Sequence, residues 1–486
     1  MNTPRRRLAL GLTAAIATAA LLTTSTAATA TTVAREHIPA ALSGPDNPFM
    51  AARGVGGPHN DSYSTNRSPQ RGPGGAHVTS SQTLYGNPCP TILVNRAGFP
   101  VGNCVDGVVS ADPLRLRHSL RILDPDTLDV LASMPLTPLG QDGLYNYLDD
   151  KDRIVLGDGN GHVLRVAQDR DARGRWSLRV VDDWDVSAHV TGHCGGTPSC
   201  DYIVSVKPDW LGRIWFSTTA GVMGVINPRS GRAHSTRLPA GEQVIKAISA
   251  SPLGVAVASD HALYLFTADP LGRPRQLWRE AYDRGSGIKP GQRNQGTGTS
   301  PTFFGIAGTS YLAIMDNADG RGNMLVYRAV GLPGRRLICT VPLFAPNTSA
   351  TDDTFIATGR GIIATNTYGY DYFNYTQPLA GGITRIDVRP GESGCDTVWT
   401  NPAAATTMPK LAAGTGHLHL IERSATATGP EYVHVAIDAR SGATVGRQTI
   451  GYDPTYEGIQ SSGTFAPTGV YYQGTLAGIV RISGPA

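Results

Sequence analysis

From Asp209 to Gly231 the chain reads D-W-L-G-R-I-W-F-S-T-T-A-G-V-M-G-V-I-N-P-R-S-G. A polar turn leads into a short apolar run, a glycine turn, a second apolar run and another polar turn. The same order of polar and apolar positions recurs from Asp149 (D-D-K-D-R-I-V-L-G-D-G-N-G-H-V-L-R-V), from Pro252 (P-L-G-V-A-V-A-S-D-H-A-L-Y-L-F) and across Gly463–Ile482. Runs of this length, bounded by Gly, Pro, Asn and Asp, predict strands joined by tight turns, and no stretch carries a long helical period. Short strands repeated at even spacing predict an all-β fold, a single β-propeller. Modules begin near Pro90, Gly143, Asp201, Val244, Ser300, Asp352, Met408 and Glu457. Eight blades of about 50 residues is the favoured count, with seven as the alternative. The last module is short, so a strand from the N-terminal side, Thr79 to Tyr85, is expected to complete it and close the ring.

The segment before the repeats reads differently. Arg5, Arg6 and Arg7, the apolar stretch Leu8 to Leu22 and the small residues Ala28-Thr29-Ala30 form an export signal over residues 1–30. Residues 31–78 are rich in Gly, Pro, Ser and Asn and have too few apolar positions for a core of their own. They make a lead-in or an arm over the propeller, and the cluster His59-Asn60-Asp61-Ser62-Tyr63 points to an ordered arm. The propeller itself is expected over residues 79–486. No further segment is apolar enough to span a bilayer as a helix. A secreted, extracellular monomer is expected.

Composition changes this picture in two places. The six cysteines of an exported chain predict disulfides, with fifteen pairings open in principle. The favoured set is Cys89 with Cys104, Cys194 with Cys200, and Cys339 with Cys395. Net charge is only +4, too small and scattered for a nucleic-acid surface. There are 37 Arg but 5 Lys, so each lysine is worth placing.

Propeller ligands are expected where the innermost strands meet the central channel. Aligning the modules places Tyr145, Ser205, Lys246 and Asp353 at equivalent inner positions, and a looser alignment adds Thr302, Lys410 and Gln460. A buried unpaired ammonium is costly, so lysines on an inner ring predict a mouth for an anionic or polyhydroxylated ligand, or else a self-satisfied Lys–Asp network. The long connection after the fourth module carries Glu280, Tyr282, Asp283, Arg284, Lys289, Gln292, Asn294 and Gln295; long ordered loops tend to carry function. Tyr368, Tyr370, Tyr372, Phe373 and Tyr375 could stack on a sugar ring or pack on a blade edge. Asp316, Asn317 and Asp319 form an oxygen-rich turn that suits Ca²⁺ or an ordinary Asx turn. His417 and His419 share a strand face with His434 nearby, without a completing carboxylate for zinc.

With G-R-I-W-F (212–216) and G-V-I-N-P-R-S-G (224–231) in view, the blades resemble those of virginiamycin B lyase-type and quinoprotein alcohol dehydrogenase-like propellers. The stretches Trp278–Gln292, Ile314–Asp319 and Asn366–Tyr370 resemble exported bacterial propellers, a mostly uncharacterised group. The resemblance implies a propeller and transfers no catalytic residue. Quinoproteins of that shape carry a disulfide between adjacent cysteines; this chain has no Cys-Cys pair, which speaks against quinone-dependent oxidation. There is also no nucleophile elbow, P-loop, H-E-x-x-H or haem motif. Two readings follow. One is a lyase or hydrolase acting on an extracellular carbohydrate-like or anionic small molecule, with Lys246 or Lys410 neutralising a developing enolate and Tyr145, Lys289 or His59 moving the proton, beside Asp353. Ser205, Thr302, Gln292, Gln460 and Tyr370 would bind the ligand. The other is a non-catalytic module that binds a ligand or protein. No cofactor is demanded beyond Ca²⁺ as a candidate.

Overall fold

The computed structural model describes residues 44–74, 77–106, 117–136, 144–190, 192, 200–427 and 429–485. The export signal, Cys194 and thus the pairing of Cys194 with Cys200 lie outside the described residues. The fold is a β-propeller of eight four-stranded antiparallel sheets. Blades 1 to 7 are each built from consecutive strands, over 91–135, 147–185, 203–237, 249–281, 302–342, 356–401 and 410–451. Blade 8 takes three strands from 464–483 and its outermost strand, Thr79–Leu84, from the N-terminal side. Thr79 pairs with Ser483 and Leu84 with Gly478, which closes the ring as the short last module requires.

The repeated polar turn has a specific cause. The Asp209 carboxylate accepts the N–H groups of Leu211 and Arg213 and the side chains of Arg213 and Trp215. Asp149, Asp171 and Asp269 hold their turns through the same i+2 and i+4 amides. Each aspartate thus replaces a backbone turn with its own oxygens. Within the module, Gly224 pairs with Phe216, and a Cβ there would stand 2.0 Å from the ring. The glycine makes room for the phenylalanine.

The core is divided by blade interface. Eight apolar clusters lie between successive blades, including Cys89, Ile92, Tyr472 and Ile479 across the closure of blade 8 on blade 1. Inner strands are buried throughout, whereas outer strands such as Ala233–Arg237 alternate or face water. Each blade therefore stabilises only its neighbours, as in other repeat architectures.

Two disulfides lie among the described residues, Cys89–Cys104 and Cys339–Cys395. The second joins the outer strands of blades 5 and 6 across a separation of 56 residues. Chain-entropy arguments assign about 4 kcal/mol to closing a loop of that length. Replacing both Cys339 and Cys395 by serine is expected to lower stability by that order, read as a lower urea midpoint at unchanged slope.

The middle of the segment 44–74 runs inside the channel, while its ends pack on the rim, Phe49 against the turn at Gly212 and Arg71 against the turn at Gly414. The inner strands donate amides to the arm in turn: Ala250 to Ser62 O (2.7 Å), Phe303 to Tyr63 O (3.1 Å), Ala357 to Thr65 O (2.9 Å), Leu411 to Asn66 O (3.0 Å) and Ala413 to Ser68 O (2.8 Å). Arg67–Ser68 adds to blade 7 as a parallel strand. The Gly, Ser and Asn content that denies this segment its own core suits a chain fed past eight converging backbones. Ser64 and Asn66 are fully buried and adopt positive φ.

Candidate functional site

Neighbouring inner strands run parallel around the channel, bridging Tyr145 to Ser205, Met408 to Ser462 and Ser462 to Thr91. These bridges fix three tiers. Tyr145, Ser205, Met408 and Ser462 share the middle one. Lys410 and Thr302 lie below it, because Lys410 follows Met408 by two residues and Thr302 follows Ser300, whose hydroxyl accepts the Ala247 amide. Gln460, two residues before Ser462, lies above. The looser alignment puts Thr302, Lys410 and Gln460 on the ring of Tyr145 and Ser205; turns of unequal length between the inner and second strands shift the register.

The lower tier belongs to the arm. Lys410 is fully buried, and its ammonium donates to Asn66 Oδ1 (2.5 Å) and to Pro58 O. Lys207, which sequence reasoning passed over, donates to Asp61 O (3.2 Å). It follows Ser205 by two residues on the same strand face, and that parity was the available signal. Burial depresses both ammonium groups, Lys207 to about 8 and Lys410 well below its ordinary value, with nearby carboxylates opposing. His59 forms the tip of the arm, within 3.3 Å of Ser300 Oγ and 3.4 Å of Thr354 Oγ1, and its ring stands 5.6 Å from that of Tyr145. Burial, then Lys410 and Lys207, hold it neutral.

Above the tip, the mouth gathers residues from four places. Lys246 and Asp352 form a buried ion pair at 2.6 Å. Tyr372 donates to the other oxygen of Asp352 (2.9 Å), and the Arg293 guanidinium lies 5.7 Å from the Tyr372 ring. The long connection after blade 4 and the aromatic loop after Thr365 are locked together here. Thr367 Oγ1 donates to Gly291 O (2.8 Å) and accepts the Asp352 amide (3.0 Å). Gly291 has φ +91, and a Cβ on it would meet Thr367 O at 1.9 Å, so only glycine allows this approach. Gln292 donates to Thr351 O (3.3 Å). The aromatic loop and the strap, separate motifs in the sequence, thus share one rim with the inner ring.

Three groups at this mouth make no hydrogen bond among the described residues. They are the Asp353 carboxyl, the Tyr145 phenol and the Arg293 guanidinium. Asp353 is 1% exposed and both its oxygens are unpaired. Burial and the neighbouring Asp352 charge push its pKa well above the usual carboxylate range, against the pull of Lys246 and Lys410. Tyr145 is half-buried and Arg293 exposed. The Oε1 of Gln460 is likewise buried and unpaired.

The remaining candidates stand apart. Ser205 Oγ accepts the Ile248 amide, and Thr302 Oγ1 lies 3.5 Å from Ser300 O. Tyr370 donates to Glu457 (2.9 Å), a fully buried carboxylate that Arg423 and Tyr432 also bind. Lys289 donates to Ala318 O (2.5 Å), beside the oxygen-rich turn. There Asp316 takes two backbone amides and the Asn323 side chain, Asn317 donates to Arg284 O and Gly287 O, and Asp319 accepts from Ser286. Those bonds are the pattern of an Asx-rich turn. His419 Nδ1 and His434 Nε2 share a 3.0 Å hydrogen bond within blade 7. Among the described residues no group of three or more His, Cys, Asp or Glu is placed to hold a metal, and no helix is long and apolar enough to cross a membrane.

Compared with the known protein families, the chain matches none. It is 22% identical over 385 residues to an uncharacterised protein of Archaeoglobus fulgidus, covering 71% of this chain and 70% of that one. Among solved structures it is similar to Sqt1 of Chaetomium thermophilum, at a TM-score of 0.52 and 12% identity over 85% of this chain and 100% of that one. A second structure of Sqt1, bound to the N-terminus of the ribosomal protein L10, aligns at a TM-score of 0.50 and 13% identity over 81% and 96% of the two chains. These likenesses show the propeller fold.

Proposed function

We propose that this protein is an exported binding propeller whose channel mouth takes a small, hydroxyl-rich acid of the carbohydrate type. The observation that carries this reading is Asp353, a buried carboxyl with no partner for either oxygen among the described residues. An unsatisfied buried polar group costs free energy that a ligand hydroxyl or ammonium recovers. Arg293 supplies an uncommitted guanidinium for the anionic end of such a ligand, and Tyr145 a phenol. The arm closes the channel from below, so the ligand enters from the side of the strap and the aromatic loop. The two disulfides suit the oxidising compartment that the N-terminal signal predicts.

A second reading, a lyase or hydrolase, is favoured by the same residue. Burial raises the Asp353 carboxyl well above its ordinary range, the direction a general acid needs. In that reading Asp353 and Tyr145 move the proton and Lys246 with Arg293 faces the developing charge. Lys410 holds the arm through Asn66 and Pro58, and His59 anchors the arm's tip against Ser300 and Thr354 instead. Sqt1, similar in fold alone, is bound to a protein N-terminus in one structure, and a protein partner is the reading that remains if small acids fail.

The test is thermal stability with and without galacturonic acid as probe. A raised melting temperature is expected in the native protein, and none in Arg293→Ala. The acid-free Asp353→Asn variant is expected to be more stable than the native protein, by a margin that grows with pH. A carboxyl whose folded pKa is raised loses stability as pH rises through that value, and asparagine does not. No shift with galacturonate or neutral sugars in a folded protein would defeat the small-acid reading.

A further inference from the structure

A second recess opens at the same end of the ring. A cleft of about 360 Å³ lies between blades 5 and 6, lined by Arg321, Phe344, Thr348, Thr384, Thr400 and Asn401 among others. It sits where the chain leaves the outer strand of blade 5 for the inner strand of blade 6, the end at which Asp352 and Asp353 stand. One loop separates it from the mouth. Tyr372 of that loop holds Asp352 in the mouth, whereas Asn366, Gly381 and Gly382 at its base line the cleft. Asn366 stiffens the base by donating to Thr348 O and Gly381 O, both at 2.8 Å.

Phe344 is the unusual residue of the cleft. Its φ is +60, a conformation that a bulky side chain adopts only under constraint and that clusters at functional sites. The constraint is visible: the Leu343 amide donates to Gly322 O (2.9 Å) and Arg321 Nε to Leu343 O (3.2 Å). The ring packs partly on the apolar cluster between blades 5 and 6, with Gly382 beside it, and otherwise lines the cleft. Around it stand polar groups that a sugar could meet. The hydroxyls of Thr384 and Thr400 make no hydrogen bond among the described residues, although Thr384 is 5% exposed. Arg321 binds carbonyls through Nε and Nη2, leaving Nη1 uncommitted among those residues.

We propose that this cleft is a second subsite for the ligand of the mouth, so that the ligand is an acidic oligosaccharide bridging the two. One unit would place its carboxylate at Arg293 and its hydroxyls at Asp353. A later unit would lie on Phe344, with hydroxyls on Thr384 and Thr400 and its carboxylate near Arg321. The inference rests on the reading of the mouth as a site for hydroxyl-rich acids.

Calorimetric titration with galacturonic acid, its trimer and its hexamer tests it. The native protein is expected to bind the hexamer at least about tenfold more tightly than the monomer, as linked subsites do. Phe344→Gly removes the ring and accepts the positive φ without strain. That variant should keep or raise its melting temperature and bind the monomer unchanged, yet lose the hexamer's advantage. The Thr384→Val, Thr400→Val double variant should also lose it. Equal affinity for monomer and hexamer in the native protein, or an advantage that survives in both variants, would overturn the subsite and leave the mouth standing. Failure of monomer and oligomers alike would overturn both.

Discussion

Removing residues 44–74 while keeping Thr79–Leu84 is expected to cost the propeller a large share of its stability. The blade ring would keep every strand it now has except the short parallel Arg67–Ser68, so a ring indifferent to its arm would melt as before. The structure argues otherwise. Five inner-strand amides, of Ala250, Phe303, Ala357, Leu411 and Ala413, donate to arm carbonyls, and Leu148 adds a sixth to Gly56. At about 1 kcal/mol net for each hydrogen bond, these alone approach the whole stability of a typical domain, about 5–15 kcal/mol. Tyr63 adds a buried ring packed 5.5 Å from Trp210 and 6.4 Å from Phe303. Water entering the vacated channel would recover part of the hydrogen bonding, so the expected loss is about half of the total, visible as a large fall in urea midpoint or as aggregation. Tyr63→Ala is the milder variant, with a loss of about 3 kcal/mol. Lys207 gives a second readout: freed from burial, its amine should return from about 8 to the ordinary lysine range and change its labelling rate by amine reagents accordingly. Unchanged melting and unchanged labelling would show that the arm is an ornament.

The arm also shows what a sequence of this kind displays and what it withholds. Blade boundaries were legible because each strand obeys a local rule, apolar residues between an aspartate-held turn and a glycine turn, and the rule repeats. Closure by Thr79–Leu84 was legible because the last module lacks a strand. Lys246 and Lys410 stood out because a charge interrupts an apolar run. The arm's place was hidden, since its bonds to the ring are made by backbone atoms that carry no side-chain signature. Arg293, and the contact of Tyr372 with Asp352, were hidden for a related reason: they reach Asp352 through loops, where no period fixes which way a side chain faces. Lys207 was readable by strand parity with Ser205. Asp352, where the sixth module begins, proves to be ion-paired with Lys246, and the unpaired Asp353 acquires its character from burial and from that neighbour.

Acid should unfold this protein well before its carboxylates are exhausted. Among the described residues four histidines are buried in neutral form: His59 in the arm, His118 in blade 1, and His419 and His434 in blade 7. Burial lowers His118 and His434 to about 4, and His59 and His419 also fall well below their ordinary value. In the unfolded chain each takes up a proton near pH 6.5, whereas in the fold His118 and His434 stay neutral to about pH 4 and His59 and His419 are held neutral below their ordinary value. Stability is therefore whole above pH 6.5 and is lost as pH falls towards 4, by about 1.4 kcal/mol per pH unit for each such group. His118 and His434 together cost about 6 kcal/mol by pH 4. Lys207 adds no slope in this window, because below 8 it is charged in both states. Asp353 opposes the trend, as do Asp152, Asp316 and Glu457, since a carboxyl with raised pKa regains stability as pH falls, whereas Glu242 and Asp438, held low by their hydrogen bonds, add to the loss. Urea denaturation at pH 7, 5.5 and 4.5 should show a steep fall over that range, with a proton uptake on unfolding of two or more. Replacing His434 by leucine should remove about one proton from that uptake. A stability that holds level between pH 7 and 4.5 would mean that the buried imidazoles find charge partners inside the ring, and the account of blade 7 as a neutral stacked pair would fall with it.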